Sequence, residues 1–312
     1  MLIVAALGGN ALLRRGEPMT AEHQRANIRV AVAALADLIH AGHSLVITHG
    51  NGPQVGLLAL QAEASNGNGF PLDILGAETE GMIGYMIEQE LGNLLENNPI
   101  ATLLTMARVE AADPAFSHPT KFIGPVYDAA TARRLARERG WRVAPDRENW
   151  RRVVASPKPL AIVEAKTIAL LVNHGVTVIC TGGGGIPVIE QADGRLTGIE
   201  AVIDKDAASA LLARQLNADM LLLLTDVDAV YLDYGTPKAQ RLGRIDPEML
   251  SDVRFPPGSM APKVAAAIQF AKEMDRPAGI GRLEDAGAIA CGEKGTLLDP
   301  RLSAKGCYRQ QA

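Results

Sequence analysis

Four short apolar runs, each followed at once by glycine or polar residues, constrain the fold of this chain more than any other feature. The runs are LIVAAL, SLVIT, TVICT and MLLLLT, at residues 2–7, 44–48, 177–181 and 220–225. Longer stretches with helical spacing separate them. Because strands that alternate with helices form parallel sheets covered on both faces, the pattern predicts an α/β fold with an open, mostly parallel central sheet.

The clearest helical stretch is AEHQRANIRVAVAALADLIHAG, at residues 21–42. Gly42 is a typical C-terminal stop for a helix. The apolar side chains of this stretch recur along one helical face, at Ile28, Val32, Leu35 and Ile39. We therefore predict that it is one of the helices that cover the sheet.

Composition limits the classes of protein that fit. The chain has 312 residues, of which 47% are hydrophobic, enough for a sizeable core in one large α/β domain or two smaller ones. A formal net charge of -4 argues against a nucleic-acid binder with a broad basic surface, so any bound anion must be met by local cations. Three widely separated cysteines argue against a disulfide framework or a zinc site, and for a reducing cytoplasm. They are Cys180, Cys291 and Cys307.

The first apolar run is interpreted as a strand rather than as a targeting segment. No basic residue precedes it, and Arg14 and Arg15 follow it, which is the reverse of a secretory signal. Elsewhere the sequence has no stretch that approaches the roughly 18 uninterrupted apolar residues of a membrane-spanning helix. These observations predict a cytoplasmic protein with no membrane partner.

Residues 113–159 interrupt the regular alternation, and we call them the lid segment. They contain prolines, two tryptophans and the arginine-rich stretch ARRLARERGWR. Long insertions in compact domains are either functional or irregular. The sequence leaves both interpretations open: a small projecting subdomain that acts as a lid, or a long irregular surface insertion.

Three turns that contain glycine follow predicted strands: GGN, HGNGP and TGGGGIP, at residues 8–10, 49–53 and 181–187. Ligands of open α/β sheets bind at the carboxyl ends of strands, and glycines let backbone N–H groups approach an anion closely. One such turn is weak evidence, because glycine after a strand commonly serves only the turn itself. Four consecutive glycines cost backbone entropy that a simple turn would not require, which favours an anion site.

The common nucleotide-binding motifs are missing from the sequence. It contains no G-x-x-x-x-G-K-[ST], and residues 182–185 do not fit G-x-G-x-x-G because Pro187 occupies the last position. The HRD and DFG motifs of protein kinases are also missing. An NAD-dependent oxidoreductase is therefore disfavoured, and an anion must be held in another way.

Two lysines lie near predicted helix starts. A helix is predicted to begin near Asp206, beside Lys205, and another to be capped by Ser259 with Lys263 in its first turn. A lysine there is disfavoured by a few tenths to about 1 kcal/mol, because the helix dipole is positive at this end. A bound anion would make the placement of both lysines favourable, so both are candidate anion ligands. The carboxylate of Asp204 or Asp206 could lie between the two ammonium groups and hold them in place. The structural alternatives are solvated lysines and an aspartate that serves as an N-cap.

Seven segments of the chain together resemble the carbamate kinases, a family within the amino acid kinase superfamily. They follow one another over nearly the whole sequence: GGNAL, HGNGPQVG, KFIGPVY, GGGGIPV, VIDKDAASALLA, LLLLTDVDAVY and GSMAPKVAAAI. GGN and DKD are shared loosely across the superfamily, whereas HGNGPQVG, GGGGIPV and GSMAPK are more specific.

The resemblance implies a single amino acid kinase domain over residues 1–312, with a three-layer α/β/α sandwich that forms homodimers. It implies reversible phosphoryl transfer between ATP and carbamate, used in many cells to make ATP from carbamoyl phosphate and ADP, and a place in arginine metabolism. Mg²⁺ would bridge the nucleotide phosphates and keep several waters. No protein ligand of the metal is assigned.

The resemblance also implies a role for each matching residue. The transferring phosphoryl group would be held by Gly8, Gly9 and Asn10, and the carbamate by Gly50, Asn51 and Gly52. The nucleotide phosphates would be lined by Gly182, Gly183, Gly184 and Gly185. The adenosine side would be bordered by Thr225, Asp226, Val227, Tyr231 and Met260. Lys205 and Lys263 would neutralise charge on the phosphoryl oxygens, and Asp206 would orient them. Lys121 would reach into the site from the lid segment.

Two other functions remain open at the level of sequence. A sibling kinase for another small carboxylate, or for a larger acceptor, would share the glycines and lysines, but a larger acceptor needs more room than HGNGPQVG suggests. A non-catalytic nucleotide sensor on the same fold is expected to have lost Lys205, Lys263 or Asp206, and all are present. His49 and His174 are interpreted as structural, because phosphoryl transfer depends on positioning and charge stabilisation.

Overall fold

The computed structural model describes most of the chain: residues 1–13, 17–64, 70–146, 148–255 and 260–302. Within helices, the side chains of Asn10, Ala11, Glu63 and Ala64 lie outside this description. Arg14, Arg15, the predicted cap Ser259 and Cys307 also lie outside the described residues.

The strands, in chain order, are β1 (Leu2–Leu7), β2 (Ser44–His49), β3 (Ile100–Thr102), β4 (Met106–Arg108), β5 (Lys121–Tyr127), β6 (Arg142–Asp146), β7 (Asn149–Val154), β8 (Ala161–Ile162), β9 (Thr177–Ile179), β10 (Ile186–Glu190), β11 (Leu196–Gly198), β12 (Met220–Thr225), β13 (Tyr231–Leu232), β14 (Gln240–Arg241), β15 (Arg244–Ile245), β16 (Ala278–Arg282) and β17 (Thr296–Leu298). The helices are α1 (Gly9–Leu12), α2 (Ala21–His40), α3 (Gly52–Ala64), α4 (Leu72–Gly92), α5 (Ala129–Arg139), α6 (Ala165–Asn173), α7 (Lys205–Gln215), α8 (Met260–Met274) and α9 (Ala286–Ala290). Within the described ranges, no helix is both long enough and apolar enough to span a membrane.

An eight-stranded sheet forms the centre of the molecule, in the order β15-β17-β16-β12-β1-β2-β9-β3. Neighbouring strands are parallel except for the antiparallel pair of β16 and β17. The first and fourth predicted strands are confirmed with their bounds. The second extends to His49, and the third ends at Ile179 rather than at residue 181, because Thr181 adopts a left-handed φ of 54° ahead of the glycines.

The central sheet is covered on both faces, because the side chains of its strands alternate between two cores. Val4 and Ala6 of β1 belong to a core that includes α6, α7 and α8. Ile3, Ala5 and Leu7 belong to the opposite core, which includes α2, α4 and α9. The predicted three-layer α/β/α arrangement is therefore confirmed.

Helix α2 agrees closely with the helix predicted at residues 21–42. The Thr20 hydroxyl accepts a hydrogen bond from the His23 N–H and caps the first turn, and Gly42 follows the helix with a φ of 83°. Ile28, Val32 and Leu35 are buried against the sheet, whereas Ile39 is partly buried.

The lid segment contains regular secondary structure. Its strands form a separate antiparallel sheet in the order β5-β7-β6, and α5 packs on β6 and β7. Asp128 caps α5, whose Ala132 and Leu135 are buried. The guanidinium groups of Arg139 and Arg152 lie 5.2 and 4.8 Å from the ring centre of Trp141. Whether this segment closes over a ligand stays a prediction.

Candidate active site

The three glycine turns meet at the carboxyl edge of the central sheet. A Cβ on Gly50 would lie 3.0 Å from the Gly9 nitrogen, and one on Gly183 would overlap the side chain of Asn51. Together they line one side of a pocket of about 230 Å³. The absence of side chains at these positions is therefore required for the turns to touch one another.

Not every N–H group of these turns is available to a ligand. The Gly8 N–H donates to the Leu224 carbonyl at 2.9 Å, and the Gly50 N–H donates to the Leu7 carbonyl at 3.0 Å. Gly9 and Gly52 are instead the first residues of α1 and α3, where N–H groups have no partner within the helix. The start of α3, a helix of 13 residues, therefore presents an anion-binding end to the pocket.

A buried ion cluster forms the floor of the pocket. Asp206 accepts hydrogen bonds from the Lys205 ammonium at 2.6 Å and from the Lys263 ammonium at 3.1 Å. The exposed fractions of the three side chains are 7, 11 and 7%, respectively. Burial alone would raise the pKa of Asp206, but the two ammonium groups outweigh it and hold the pKa at about 2. The carboxylate is therefore ionised throughout the neutral range.

The first turns of two helices, α7 and α8, supply the residues of the floor. Lys205 is the first residue of α7, and the Asp204 carboxylate caps this helix by accepting from the N–H groups of Asp206 and Ala207. Lys263 lies in the first turn of α8. Burial lowers the pKa of Lys205, against the attraction of Asp206. Two ammonium groups share one carboxylate at the positive ends of two helices, so the floor keeps a net positive charge that suits an anion.

The edge of the pocket is more exposed than its floor. Lys121 of β5 donates to the second carboxylate oxygen of Asp204 at 2.8 Å, and the two side chains are 39 and 25% exposed. A Cβ on Gly56 of α3 would lie 2.7 Å from the Gly124 Cα. The strand that carries Lys121 therefore rests on α3 through a contact between two glycines.

The turn at residues 49–53, which is predicted to hold the phosphoryl acceptor and is called the acceptor turn, is held by α4 through Asn51. The Asn51 amide donates to the Thr79 hydroxyl at 2.8 Å, and that hydroxyl donates to the Gly76 carbonyl. Sequence reasoning missed Thr79 because it lies in an ordinary helical stretch, with no local motif to mark it. Asp204 both caps α7 and pairs with Lys121. Its membership of the DKD motif marked it in the sequence as a candidate site residue.

The structure explains why glycine occupies each of the four consecutive positions 182–185. Gly183, Gly184 and Gly185 have φ values of 65, 99 and 92°. A Cβ on Gly182 would meet His49, and one on Gly184 would meet the Ile203 backbone. Of the four, Gly183 lines the pocket. Their assignment to the nucleotide phosphates stays a prediction.

Sheet order separates this turn from the predicted adenosine side. The glycines follow β9, whereas Thr225 ends β12, and β2 and β1 lie between these strands. Three inter-strand spacings amount to roughly 14 Å. Gly183 instead lies against Asn51, so it belongs to the side of the pocket formed by residues 49–53.

The residues predicted to border adenosine begin next to Gly8. A Cβ on Gly8 would lie 3.6 Å from the Thr225 Cα. The Thr225 hydroxyl donates to the exposed Asp226, and Val227 is partly exposed. The Tyr231 hydroxyl donates to Asp228 at 2.9 Å. Met260, the first residue of α8, packs at the border of one core.

His49 and His174, the histidines interpreted from the sequence as structural, both contact backbone carbonyl groups. His49 is 1% exposed, its Nδ1 lies 3.2 Å from the Gly50 carbonyl oxygen, and burial lowers its pKa to about 4. His174 Nδ1 lies 2.8 Å from the Leu170 carbonyl oxygen. His49 is therefore neutral at pH 7.

Comparison with known proteins decides the family. The sequence model of the amino acid kinase family matches residues 1–281. The chain belongs to this family. A carbamate kinase from Rhizobium meliloti (strain 1021) is 54% identical over 307 residues, which cover 97% of this chain and 94% of that relative. A carbamate kinase from Haemophilus influenzae is 52% identical over 310 residues, covering 99% of this chain and 100% of the relative.

A solved structure also matches this amino acid kinase over nearly its whole length. Carbamate kinase from Giardia lamblia bound to AMP-PNP has a TM-score of 0.88 and 38% sequence identity, and the match covers 96% of this chain and 98% of that chain. The family and the fold predicted from the seven segments are both confirmed.

Proposed function

We propose that this protein is a phosphotransferase that acts as a carbamate kinase, interconverting ATP plus carbamate with ADP plus carbamoyl phosphate. The observation that carries the proposal is the buried Lys205–Asp206–Lys263 floor, which lines the same pocket as Gly50 and Gly52 of the acceptor turn. Relatives with this name are about half identical to the chain over nearly its whole length. This reaction requires room for a small acceptor and a floor with two ammonium groups, and the pocket provides both.

The chemistry is a direct transfer. In the ATP-forming direction, the P–O bond of carbamoyl phosphate breaks while an oxygen of the terminal phosphate of ADP bonds to phosphorus, and the carbamate leaves with its oxygen. Such a transition state needs positioning and charge stabilisation rather than a covalent intermediate. Lys205 and Lys263 would neutralise the phosphoryl oxygens, and Asp206 would fix both ammonium groups.

The backbone divides the substrates between two sides. Gly8, Gly9 and Asn10 are proposed to hold the moving phosphoryl group, with N–H donation from the start of α1. Gly50, Asn51 and Gly52 are proposed to hold the carbamate at the start of α3. Lys121 would complete the site from the lid segment. The adenosine would lie beside Thr225, Asp226, Val227, Tyr231 and Met260.

Mg²⁺ is proposed to arrive with the nucleotide, because it is commonly bound through substrate phosphates and retained waters. Among the described residues, no group of three or more His, Cys, Asp and Glu side chains is arranged to hold a metal ion. Both oxygens of Asp206 are already used by lysines. No step of the transfer is therefore assigned to a metal held by the protein.

Several finer features are proposals that rest on the resemblance. They are a homodimer, a cytoplasmic location, operation in the ATP-forming direction and closure of the lid segment over bound substrate. Sedimentation of the purified protein would test the dimer.

The function is tested by a coupled assay of ATP formation from carbamoyl phosphate and ADP with Mg²⁺. Turnover with carbamoyl phosphate well above turnover with acetyl phosphate is expected. Preference for acetyl phosphate would identify a sibling kinase. Nucleotide binding without turnover of either phosphate would identify a sensor instead.

Gly52→Ala tests the placement of the carbamate. A Cβ on Gly52 meets no atom within 4 Å, and its φ is not positive, so the variant should melt near the wild-type temperature. The added methyl would enter the acceptor space, so use of carbamoyl phosphate should fall while the KM for ADP is kept. Gly50→Ala is the contrast, since its Cβ would lie 3.0 Å from the Gly9 nitrogen and should lower stability. Equal loss with both substrates in Gly52→Ala would place the carbamate elsewhere.

A further inference from the structure

Glu80 of α4 is a buried carboxyl group that the proposed transfer does not use. Its residue is 1% exposed. One oxygen accepts a hydrogen bond from the Thr105 N–H at 2.8 Å. Within the described part of the chain the other oxygen makes no hydrogen bond of standard geometry, although the Gly182 backbone lies near enough to lower the pKa of the carboxyl group. An unpartnered buried polar atom is costly, so its retention calls for an explanation.

Glu80 lies directly behind the glycine-rich turn, residues 181–187. The position that a Cβ on Gly182 would occupy is 2.9 Å from the Glu80 Cγ and 2.6 Å from the His49 Nε2. The preceding residue, Thr79, accepts the hydrogen bond from Asn51. Consecutive residues of one helix therefore reach the backs of both turns on the acceptor side.

A chain of hydrogen bonds extends from Glu80 into a strained part of the turn. The Thr105 N–H donates to Glu80, and the Thr105 hydroxyl accepts from the Thr181 N–H at 3.0 Å. Thr181 has a φ of 54°, which a β-branched residue rarely adopts. Such a conformation persists only where the surroundings hold it, and Glu80 anchors those surroundings.

We propose that Glu80 is a positioning residue that holds the acceptor turn and the glycine-rich turn at the spacing a small phosphoryl acceptor needs. This inference rests on the proposed function for the identity of the acceptor. Glu80 touches no reacting atom; it acts through Thr105 and the Gly182 backbone.

The charges around Glu80 favour an uncharged carboxyl group. Burial raises its pKa well above the ordinary value, and the nearby Glu164 raises it further, whereas the backbone N–H groups of Thr105 and Gly182 oppose this shift without cancelling it. The other titratable groups beside it are His49, whose pKa is about 4, and Cys180, whose buried thiol has a pKa of about 12. Lys205, which faces His49, is paired with Asp206. Glutamine should therefore replace Glu80 without loss of its role.

The experiment compares Glu80→Gln, Glu80→Ala and the exposed control Glu78→Gln. Glu80→Gln is expected to keep the kcat and both KM values within about twofold. Glu80→Ala should raise the KM for carbamoyl phosphate on the order of tenfold and leave the KM for ADP unchanged, since a misplaced turn affects the acceptor. Equal damage in the Gln and Ala variants, or equal changes in both KM values, would overturn the proposal.

A stability measurement separates this inference from the proposed function, because it needs no turnover. A carboxyl group whose folded pKa is raised loses its stabilising contribution as the pH rises from the unfolded value toward the folded one. The Tm of Glu80→Gln should therefore exceed that of the wild type by an amount that grows between pH 4 and pH 8. Glu78→Gln, measured in parallel, shows how much of any trend comes from removing an exposed carboxylate of the same helix. A flat difference for Glu80→Gln would show an ionised carboxylate and refute its positioning as a neutral group.

Discussion

The floor and the edge of the pocket use the same pair of residue types in opposite ways. At the floor, Lys263 and Asp206 are each 7% exposed. At the edge, Lys121 and Asp204 are 39 and 25% exposed. Water screens an exposed pair to about 1 kcal/mol or less, whereas a buried pair cannot be broken without leaving a charge in a poor solvent. We therefore expect the floor to supply a fixed charge and the edge to supply one that can move.

Two aspartates at the start of α7 join these two regions. The Asp206 carboxylate accepts from both floor lysines, whereas Asp204 caps α7 with one oxygen and accepts from Lys121 with the other. Lys121 is thus linked to the helix start that carries the floor. Perturbing each region separately shows whether this division of roles is correct.

The largest effect is expected for Lys263→Ala. Loss of a preorganised cation beside the moving phosphoryl group should lower kcat by about 10²-fold or more. Stability should also fall, by less than the roughly 3–5 kcal/mol of a fully broken buried pair, because Lys205 still pairs with Asp206. The coupled assay and a thermal melt measure both. Lys272→Ala is the matched control on α8, since its ion pair with Glu248 is exposed. Near-normal turnover in Lys263→Ala would remove the floor from the mechanism.

A smaller but substantial effect is expected for Gly56→Ala. The added Cβ would lie 2.7 Å from the Gly124 Cα, so β5 must move away from α3 and carry Lys121 with it. A displacement near 1 Å can cost on the order of tenfold to a hundredfold in rate. Gly81→Ala is the control, because a Cβ there meets nothing within 4 Å. Unchanged kinetics in Gly56→Ala would mean that the position of the lid segment does not matter for turnover.

Lys121→Ala should have a milder effect than either change. Its ion pair with Asp204 is partly exposed, so the rate should fall by about tenfold and the Tm should stay within about a degree or two. Hydrogen exchange across residues 113–159 should slow when ADP and a carbamoyl phosphate analogue bind. Unaltered exchange would contradict closure, and a rate loss as large as that of Lys263→Ala would contradict the contrast between edge and floor.

The smallest effect concerns pH. Because the pKa of Asp206 is held at about 2, below its ordinary value, its stabilising contribution is present above that ordinary value and lost as the pH falls toward 2. The difference in Tm between wild type and Asp206→Asn should therefore stay nearly constant from pH 6 to pH 5 and shrink below about pH 4. A difference that stays flat from pH 5 down to about pH 3 would place the folded-state pKa of this carboxyl group near its ordinary value, because stability then has no linkage to its protonation.

Sequence reasoning succeeded where the signal was local and apolar. Residues 2–7 and 220–225 are strands with the predicted bounds, because buried parallel strands are continuous apolar runs. The lysines at helix starts were also visible, since their positions conflict with the helix dipole.

The rest depended on contacts between residues that are distant in the chain. In the lid segment, β6 and β7 carry arginines among their apolar residues, and β5 is interrupted by Gly124 and Pro125, where its register with β7 shifts. The pairing of these strands therefore has no regular apolar alternation to reveal it. Thr79 and Glu80 act only because α4 passes behind two turns that lie 25 or more residues away. The four glycines were visible as a motif, but the packing of Gly182 against His49 and Gly184 against Ile203 required the fold.

Mutual contact of the glycine turns limits how this protein can acquire a new substrate. Gly50 abuts Gly9, Gly183 abuts Asn51, and Gly182 abuts His49, so each turn fills the space its neighbour leaves. A side chain added at Gly50, Gly182 or Gly183 displaces the neighbouring turn. An acceptor site reshaped at these positions therefore requires coordinated changes in several distant segments, and directed evolution by single steps should recover faster variants for the same acceptor more readily than variants for a larger one.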